Sequence, residues 1–324
     1  MVVSRRGWVM FAAMSVIWGI PYLLIKVAVG GVPVPVLVLC RVAIGAALLL
    51  PVAIRRRQLA EVLPHWRWLG VFAVVEIIVP WLLLSEAETR LSSSLSGLLI
   101  ASVPILVAVL ALLTGGTDRL SPVRWAGLLV GLAGVGLLVG PGISGGDALS
   151  VGEVLLVAVC YAAGPLVASR KLADLPPLAM TAVCLGFASV VYAPLAAATW
   201  PSALPSGQVL AAIAGLAVVC TALAFLIFFA LITEAGPARA SVITYINPAI
   251  AAAGGFFLLG ERLTPVMLAA FALILGGSVL ATRSGRRPRA GAAAPGGPEA
   301  GSPETGSPAA QHPETGLASP ASSA

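Results

Sequence analysis

Two phrases decide the fold: Asp118-Arg119-Leu120-Ser121-Pro122 and, 143 positions later, Glu261-Arg262-Leu263-Thr264-Pro265. Each joins an acid, an arginine, a leucine, a hydroxyl residue and a proline, in a short polar gap between two hydrophobic runs. A repeated phrase so placed marks a duplicated membrane unit. If an odd number of crossings separates the copies, they face opposite sides of a bilayer, the inverted-repeat plan of many secondary transporters.

Composition puts the rest of the chain in the same class. Hydrophobic residues fill 59% of the 324 positions and charged residues 10%, with a mean hydropathy of +1.02. A water-soluble core does not absorb so many apolar side chains. Ten runs have the length needed to cross hydrocarbon, at about 7–30, 33–54, 67–86, 92–114, 123–140, 151–169, 175–198, 207–232, 238–259 and 264–282. They are too long for strands and lack period-two alternation, so the expected fold is an all-α integral membrane protein of ten transmembrane helices.

Basic residues give the orientation. With the N-terminus inside, the inner segments hold 15 of the 19 lysines and arginines and the outer ones only Arg90 and Arg262, while Lys26 and Arg41 lie within helices. This asymmetry predicts ten spans in the plasma membrane with both termini cytoplasmic. The net charge of +6 is then a topology signal and implies no nucleic-acid partner. Trp8, Trp66, Trp68, Trp125 and Trp200 fall near predicted helix ends, where an aromatic belt forms.

The duplication reaches beyond the opening phrases. Ser94 to Pro104 aligns with Ala238 to Pro248, and Ala73-Val74-Val75 with Ala217-Val218-Val219, at an offset of 144. Five helices per unit make the two repeats inverted. The expected organisation is a first repeat over 1–140, a linker at 141–150, a second repeat over 151–283 and a disordered cytoplasmic tail at 284–324, rich in Ala, Gly, Pro and Ser. Because the first run has a counterpart in the second half, it reads as helix one and not as a cleaved leader. Cys40, Cys160, Cys184 and Cys220 sit apart in apolar helices, so neither disulfides nor metal sites are expected, and no cofactor is implied.

Trp18-Gly19 followed by Lys26, Arg41 in helix two, the two acidic-Arg-Leu-hydroxyl-Pro turns, and the glycine-rich fifth and tenth helices (Gly127, Gly131, Gly134, Gly136; Gly276, Gly277) form a set. In this order and spacing it resembles an EamA-type member of the drug/metabolite transporter superfamily over about residues 7–283. The resemblance implies carriage of metabolites, amino acids or drugs by alternating access through a cavity between the repeats. Asp118 stands where that family usually has Glu.

The residues point to a pathway independently. Ionisable groups deep in a bilayer usually face a bundle interior or a water-filled cavity. Glu76 is about nine residues from either end of its run, about 13 Å from each interface, and Arg41 is about 12 Å deep. Glu76 is a candidate for binding a proton or a cationic group of the substrate, with Arg41 or Lys26 as charge partner; a static ion pair joining helices two and three explains it equally well. Lys26, near the outer end of helix one, reads as snorkelling to the headgroups. The second-repeat counterparts of Arg41 and Glu76 are Cys184 and Cys220. Trp18, Tyr22, Trp81, Tyr161 and Tyr245 lie inside helices, and Asn247 precedes Pro248, where a helix break would present its amide to substrate. Asp118, Arg119, Glu261 and Arg262 read as turns that lock helix ends.

The function expected is secondary transport of a small organic solute, as an exporter, with proton coupling and facilitated exchange both open. An enzyme acting on lipid-linked substrate and a non-transporting receptor or assembly factor are the competing classes. The loops are short and lack nucleophile-base pairs, and no phosphate-binding loop is present to drive a pump, so no enzymatic activity is expected. The partners implied are the bilayer and the solute, whether the chain is a monomer or a homodimer.

Overall fold

The computed structural model describes residues 4–113, 121–140, 145–236, 240 and 242–282. Asp118, Arg119, residues 141–144 of the expected linker and the expected tail lie outside the described residues. All described regular structure is helical: α1 Arg5–Ile17, α2 Pro21–Val29, α3 Val34–Arg55, α4 Leu59–Val62, α5 Trp66–Ala73, α6 Val79–Arg90, α7 Ser93–Ile100, α8 Val103–Leu113, α9 Pro122–Val139, α10 Gly145–Lys171, α11 Pro177–Ala198, α12 Gly207–Ala214, α13 Ala224–Ala235, α14 Ile243–Leu259 and α15 Pro265–Thr282. Eight stretches of described helix are long and apolar enough to cross a membrane, and Ile243–Leu259 and Pro265–Ala281 are shorter apolar helices.

Local chemistry explains where these helices begin and break. The hydroxyl and proline of each repeated phrase are a helix start. Ser121 Oγ accepts from Arg124 N at the head of α9, Thr264 Oγ1 accepts from Met267 N at the head of α15, and Pro122 and Pro265 follow as first helical residues. Pro21 cannot donate a backbone hydrogen bond, so the first run turns at Trp18-Gly19-Ile20 and resumes as α2. The third run contains a π-helical turn, Val74–Ile78, followed by Val79 and Pro80, and its helix continues through Glu88 to Arg90, past the expected end at 86. A second π turn, Gly215–Leu223, joins α12 to α13. Shifting 74–78 by 144 places it on 218–222, so the two halves carry the same irregularity at the same place.

Packing follows the duplication. The main neighbours are α9 with α15, α3 with α11, α7 with α14, α6 with α10, and α1 with α13. Exchanging the two halves maps each of the first three pairs onto itself and turns the fourth into the fifth. The glycines of the fifth and tenth helices let α9 and α15 approach closely: a Cβ on Gly277 would stand 2.5 Å from Gly131 Cα and 2.6 Å from Gly127 O. Tryptophans sort by position. Trp8, Trp66, Trp68, Trp125 and Trp200 are exposed at helix ends or in the adjoining loop, whereas Trp18 and Trp81 turn inward. All four cysteines are free thiols.

Gly277→Val forces the α9–α15 contact apart and costs about 1–3 kcal/mol. The melting temperature in detergent is expected to fall by at least about 3 °C. Gly276→Ala, which meets open space, is expected to melt with the wild type. Equal melting of all three proteins contradicts the packing.

Candidate functional site

The inward-facing polar side chains converge from both halves of the chain. Arg41, on α3, is buried with 7% of its surface exposed. Its Nε donates to Thr221 Oγ1 at 3.1 Å, and its Cζ lies 3.6 Å above the Trp81 ring of α6. Thr221 is in the second π turn, where its hydroxyl donates in turn to Leu216 O at 2.8 Å. The hydroxyl therefore accepts from Arg41 with its lone pair and fixes the guanidinium plane, while Trp81 covers one face. Tyr161 on α10, Cys220, Tyr22 on α2 and Glu88 on α6 are the titratable groups within electrostatic reach of Arg41.

Glu76 sits in the first π turn and lies against Gly164 of α10, where any side chain would collide with its carboxyl group. Its Oε2 is sealed from solvent and has no hydrogen-bond partner among the described residues. Tyr161, Cys160 and Cys184 lie within its electrostatic reach, and Tyr161 also feels Arg41. The π turn itself is pinned by Tyr192, whose hydroxyl donates to Ile78 O at 2.5 Å.

Several sequence expectations are corrected here. Among the described residues no ion pair joins Glu76 to Arg41 or to Lys26: the arginine is taken by Thr221 and Trp81, and the lysine points elsewhere. Lys26 does not reach outward. Its Nζ donates to Glu88 O at 2.8 Å and Leu91 O at 2.7 Å, capping the C-terminal carbonyls of α6. Asn247 does not present its amide to a cavity. In the orientation its two carbonyl neighbours require, the nitrogen donates to Ser15 O at 3.1 Å and Ile243 O at 2.9 Å, tying α14 to α1. Trp18 packs on Phe228 and Phe225, with centroids 4.6 and 6.0 Å away, beside this joint. Tyr245 is half-buried on α14.

Glu261 holds the end of another helix. Its Oε1 accepts from Ser93 N at 2.7 Å, and its Oε2 accepts from Ser94 N at 2.9 Å and Ser94 Oγ at 2.5 Å. A carboxylate at the free amides of a helix start is well placed electrostatically. Gly260, at φ 66°, makes the left-handed turn that aims it there. Burial raises this carboxyl's pKa, but the hydrogen bonds from Ser94 and Ser93 outweigh it and hold the group below its ordinary range. Arg262 is exposed in the same turn.

Sequence reading missed three members of this region: Thr221, Gly164 and Glu88. Glu88 is fully buried, with neither carboxyl oxygen hydrogen-bonded among the described residues. The signal was helical spacing. Trp81, Ser85 and Glu88 recur at four and three residues on one buried face, while Glu86 turns away to pair with Arg90 at 3.6 Å.

A duplicated set of apolar helices enclosing buried opposite charges defines a multi-pass membrane protein of transport type. Residues 5–140 and 150–283 each match the EamA-like transporter family, and the chain belongs to that family. It is similar to the inner membrane transporter YedA of Escherichia coli strain K12, at 25% identity over 272 residues covering 83% of this chain and 88% of that one. The transporter YvbV of Bacillus subtilis strain 168 is 24% identical over 295 residues, covering 89% and 95%. The threonine/homoserine exporter RhtA of E. coli strain K12 is 27% identical over 237 residues, covering 68% and 80%. A solved crystal structure superposes with a TM-score of 0.59 over 85% of this chain and 96% of its own, at 24% identity, which shows a shared fold.

The Glu261 clamp sets a pH dependence. Its carboxyl is held below the ordinary value of 4.5, so the clamp stabilises the fold at neutral pH and that contribution is lost as pH falls below about 4.5. Glu261→Gln turns an N–H2 toward donors and is expected to lower the melting temperature at pH 7 by about 2–4 °C, with the gap to wild type closing in acid. A gap that is absent at pH 7, or that widens in acid, contradicts the assignment.

Proposed function

We propose that this chain is a secondary transporter of the plasma membrane that moves a small organic solute by alternating access. In this reading ten helices form two inverted five-helix repeats, 1–140 and 151–283, joined by the segment 141–150 and followed by a cytoplasmic tail at 284–324. The shorter apolar helices α14 and α15 complete the ten, since 17 residues is within the range that crosses hydrocarbon. Fifteen inner basic residues against two outer ones support cytoplasmic termini. Helix pairing that is preserved when the halves are exchanged supports two units able to rock against each other.

One observation carries the functional reading: Arg41 and Trp81 from the first half meet Thr221 and Tyr161 from the second. A polar junction between repeats is where alternating access exposes a solute first to one side and then to the other. Arg41, Glu76, Tyr22, Trp81 and Tyr161 line this path. Lys26, Trp18, Tyr245, Asn247, Glu261 and Arg262 belong to the joints around it, and Asp118 and Arg119 to the corresponding turn of the first repeat. Export is the direction favoured, because one relative carries that role by name. Glu76, an acid with an unpartnered sealed oxygen, is the residue assigned to exchange a proton against the solute.

Flux into proteoliposomes of the purified chain, with and without an imposed pH gradient, tests this. The wild type is expected to take up solute faster when the lumen is acidic, so that protons leave as solute enters, and Glu76→Gln to lose that response. No flux of any amino acid, organic acid or cationic drug sinks the transporter reading. A gradient response unchanged in Glu76→Gln removes the residue from coupling.

A further inference from the structure

The helix α3 ends in Arg55-Arg56-Arg57, and the turn that follows has an unusual backbone. Arg57 N donates to Ile54 O at 2.9 Å and Gln58 N to Ala53 O at 3.1 Å, the paired bonds of a Schellman motif. Arg57 therefore takes the motif's left-handed position, at φ 55°. Glycine fills that position without strain, and a longer side chain does not. Of the described residues other than glycine, only Arg57 has a positive φ. Neighbouring elements bring more cations and exposed aromatic rings to the same end of the bundle. Val62 of α4 is buried in one core with Leu172 and Leu178, so α4 lies against the segment joining α10 to α11. Lys171, the last residue of α10, holds its Nζ 4.8 Å from the Trp68 ring of α5, and Arg67 Cζ lies 5.4 Å from the Trp66 ring. Trp66 is 66% exposed, and Trp68, Ile54 and Leu63 are exposed as well. Arg55, Arg56, Arg57, Arg67, Arg170 and Lys171 all face outward, and none of them makes an ion pair among the described residues. The acids of these segments are Glu61 and Asp174.

We propose that this turn, with the adjoining ends of α5 and α10, is a binding surface for the phosphate headgroups of anionic phospholipids. Unpaired cations side by side repel one another, and exposed tryptophan, isoleucine and leucine side chains are poorly settled in water. One environment meets both needs. At the headgroup layer, aromatic rings rest with their apolar bodies toward the acyl chains, and guanidinium forks take phosphate oxygens two at a time. An acidic protein or a nucleic acid would answer the charges and leave the apolar side chains in water. Arg57 is the most informative member. A helix end alone is served better by glycine, so the arginine is held in a strained conformation for the charge it places at the corner. The surface lies apart from the buried cluster around Arg41, and the inference requires that the helices cross a membrane but not that they carry a solute. Each cation near an anionic surface strengthens binding about fivefold.

The test titrates the full chain in detergent micelles with phosphatidylglycerol brominated on its acyl chains, and in parallel with brominated phosphatidylcholine. Tryptophan quenching is followed, and the share due to Trp66 and Trp68 is taken as the difference from a protein carrying Trp66→Phe and Trp68→Phe. Phosphatidylglycerol is expected to quench this share at a concentration at least about tenfold below that of phosphatidylcholine, and added salt to narrow the difference. Arg57→Gly is expected to raise the phosphatidylglycerol midpoint about fivefold while melting in lipid-free detergent at or above the wild type, because glycine relieves the left-handed turn. Arg67→Gln is expected to raise the midpoint by a similar factor. Arg262→Gln, the same loss of charge in the turn before α15, is expected to leave it unchanged. Equal quenching by the two lipids, midpoints unmoved in Arg57→Gly and Arg67→Gln, or an equal rise in Arg262→Gln overturns the inference. Displacement by free glycerol phosphate at the concentrations used for lipid also overturns it, in favour of a site for soluble anions. Arg57→Gly melting below the wild type assigns the arginine to the fold and removes the argument from strain.

Discussion

Hydrocarbon offers no hydrogen bonds, and every polar group that these helices carry into it must find a partner within the protein. Much of the architecture follows from that constraint. Lys26 turns inward to two carbonyls at the end of α6. Glu261 meets the free amides of α7, and the Asn247 amide closes the joint between α14 and α1. The hydroxyls of Ser85, Ser102 and Thr221 return to backbone carbonyls of their own or adjoining turns. Among the described residues, the charged groups left without a hydrogen-bond partner include the outer nitrogens of Arg41 and carboxyl oxygens of Glu76, Glu88 and Glu153. On the proposed account, Arg41 and Glu76 are the groups that a solute or a proton completes.

The duplication gives these vacancies a mechanical setting. Both halves carry a π turn at the same place, but one holds Glu76 and the other Cys220 beside Thr221. A π turn adds a residue to the helix and interrupts its regular bonding, and such turns recur at functional sites. Here each is held from a side chain: Tyr192 donates to Ile78 O in the first, and Thr221 to Leu216 O in the second. The halves thus share a scaffold and differ in chemistry. On the proposed account, symmetry supplies the two-sided motion and asymmetry supplies the site.

Much of the fold was legible in the sequence because its determinants are local. Run length, the Ser121-Pro122 and Thr264-Pro265 helix starts, and the positions of the exposed tryptophans all follow from a few neighbouring residues. The family follows from the same features. The site was less legible, since it depends on which helix faces come together. Arg41 and Glu76 were visible as charges in apolar runs, but Thr221, an ordinary hydroxyl, becomes an anchor only because α3 packs on the second π turn. Glu88 was hidden by its neighbours, since Glu86 and Arg90 make the end of the run look like an interface. Lys26 and Asn247 were read as reaching toward solvent or solute, when backbone carbonyls from helices distant in sequence were close enough to take them. The deep charges stood out in the sequence, whereas their surroundings depended on tertiary contacts that no local pattern encodes.

The central claim is that the region around Arg41 opens to each side of the membrane in turn. Cys220, 2% exposed and beside Arg41 in the second π turn, reports on this directly. A variant retaining Cys220 with Cys40, Cys160 and Cys184 replaced by alanine is to be treated with a membrane-impermeant maleimide from each face of oriented vesicles. The account predicts slow reaction from both faces, retarded on both by a transported solute. Reaction from one face alone under every gradient and solute condition, or none at all, would contradict it.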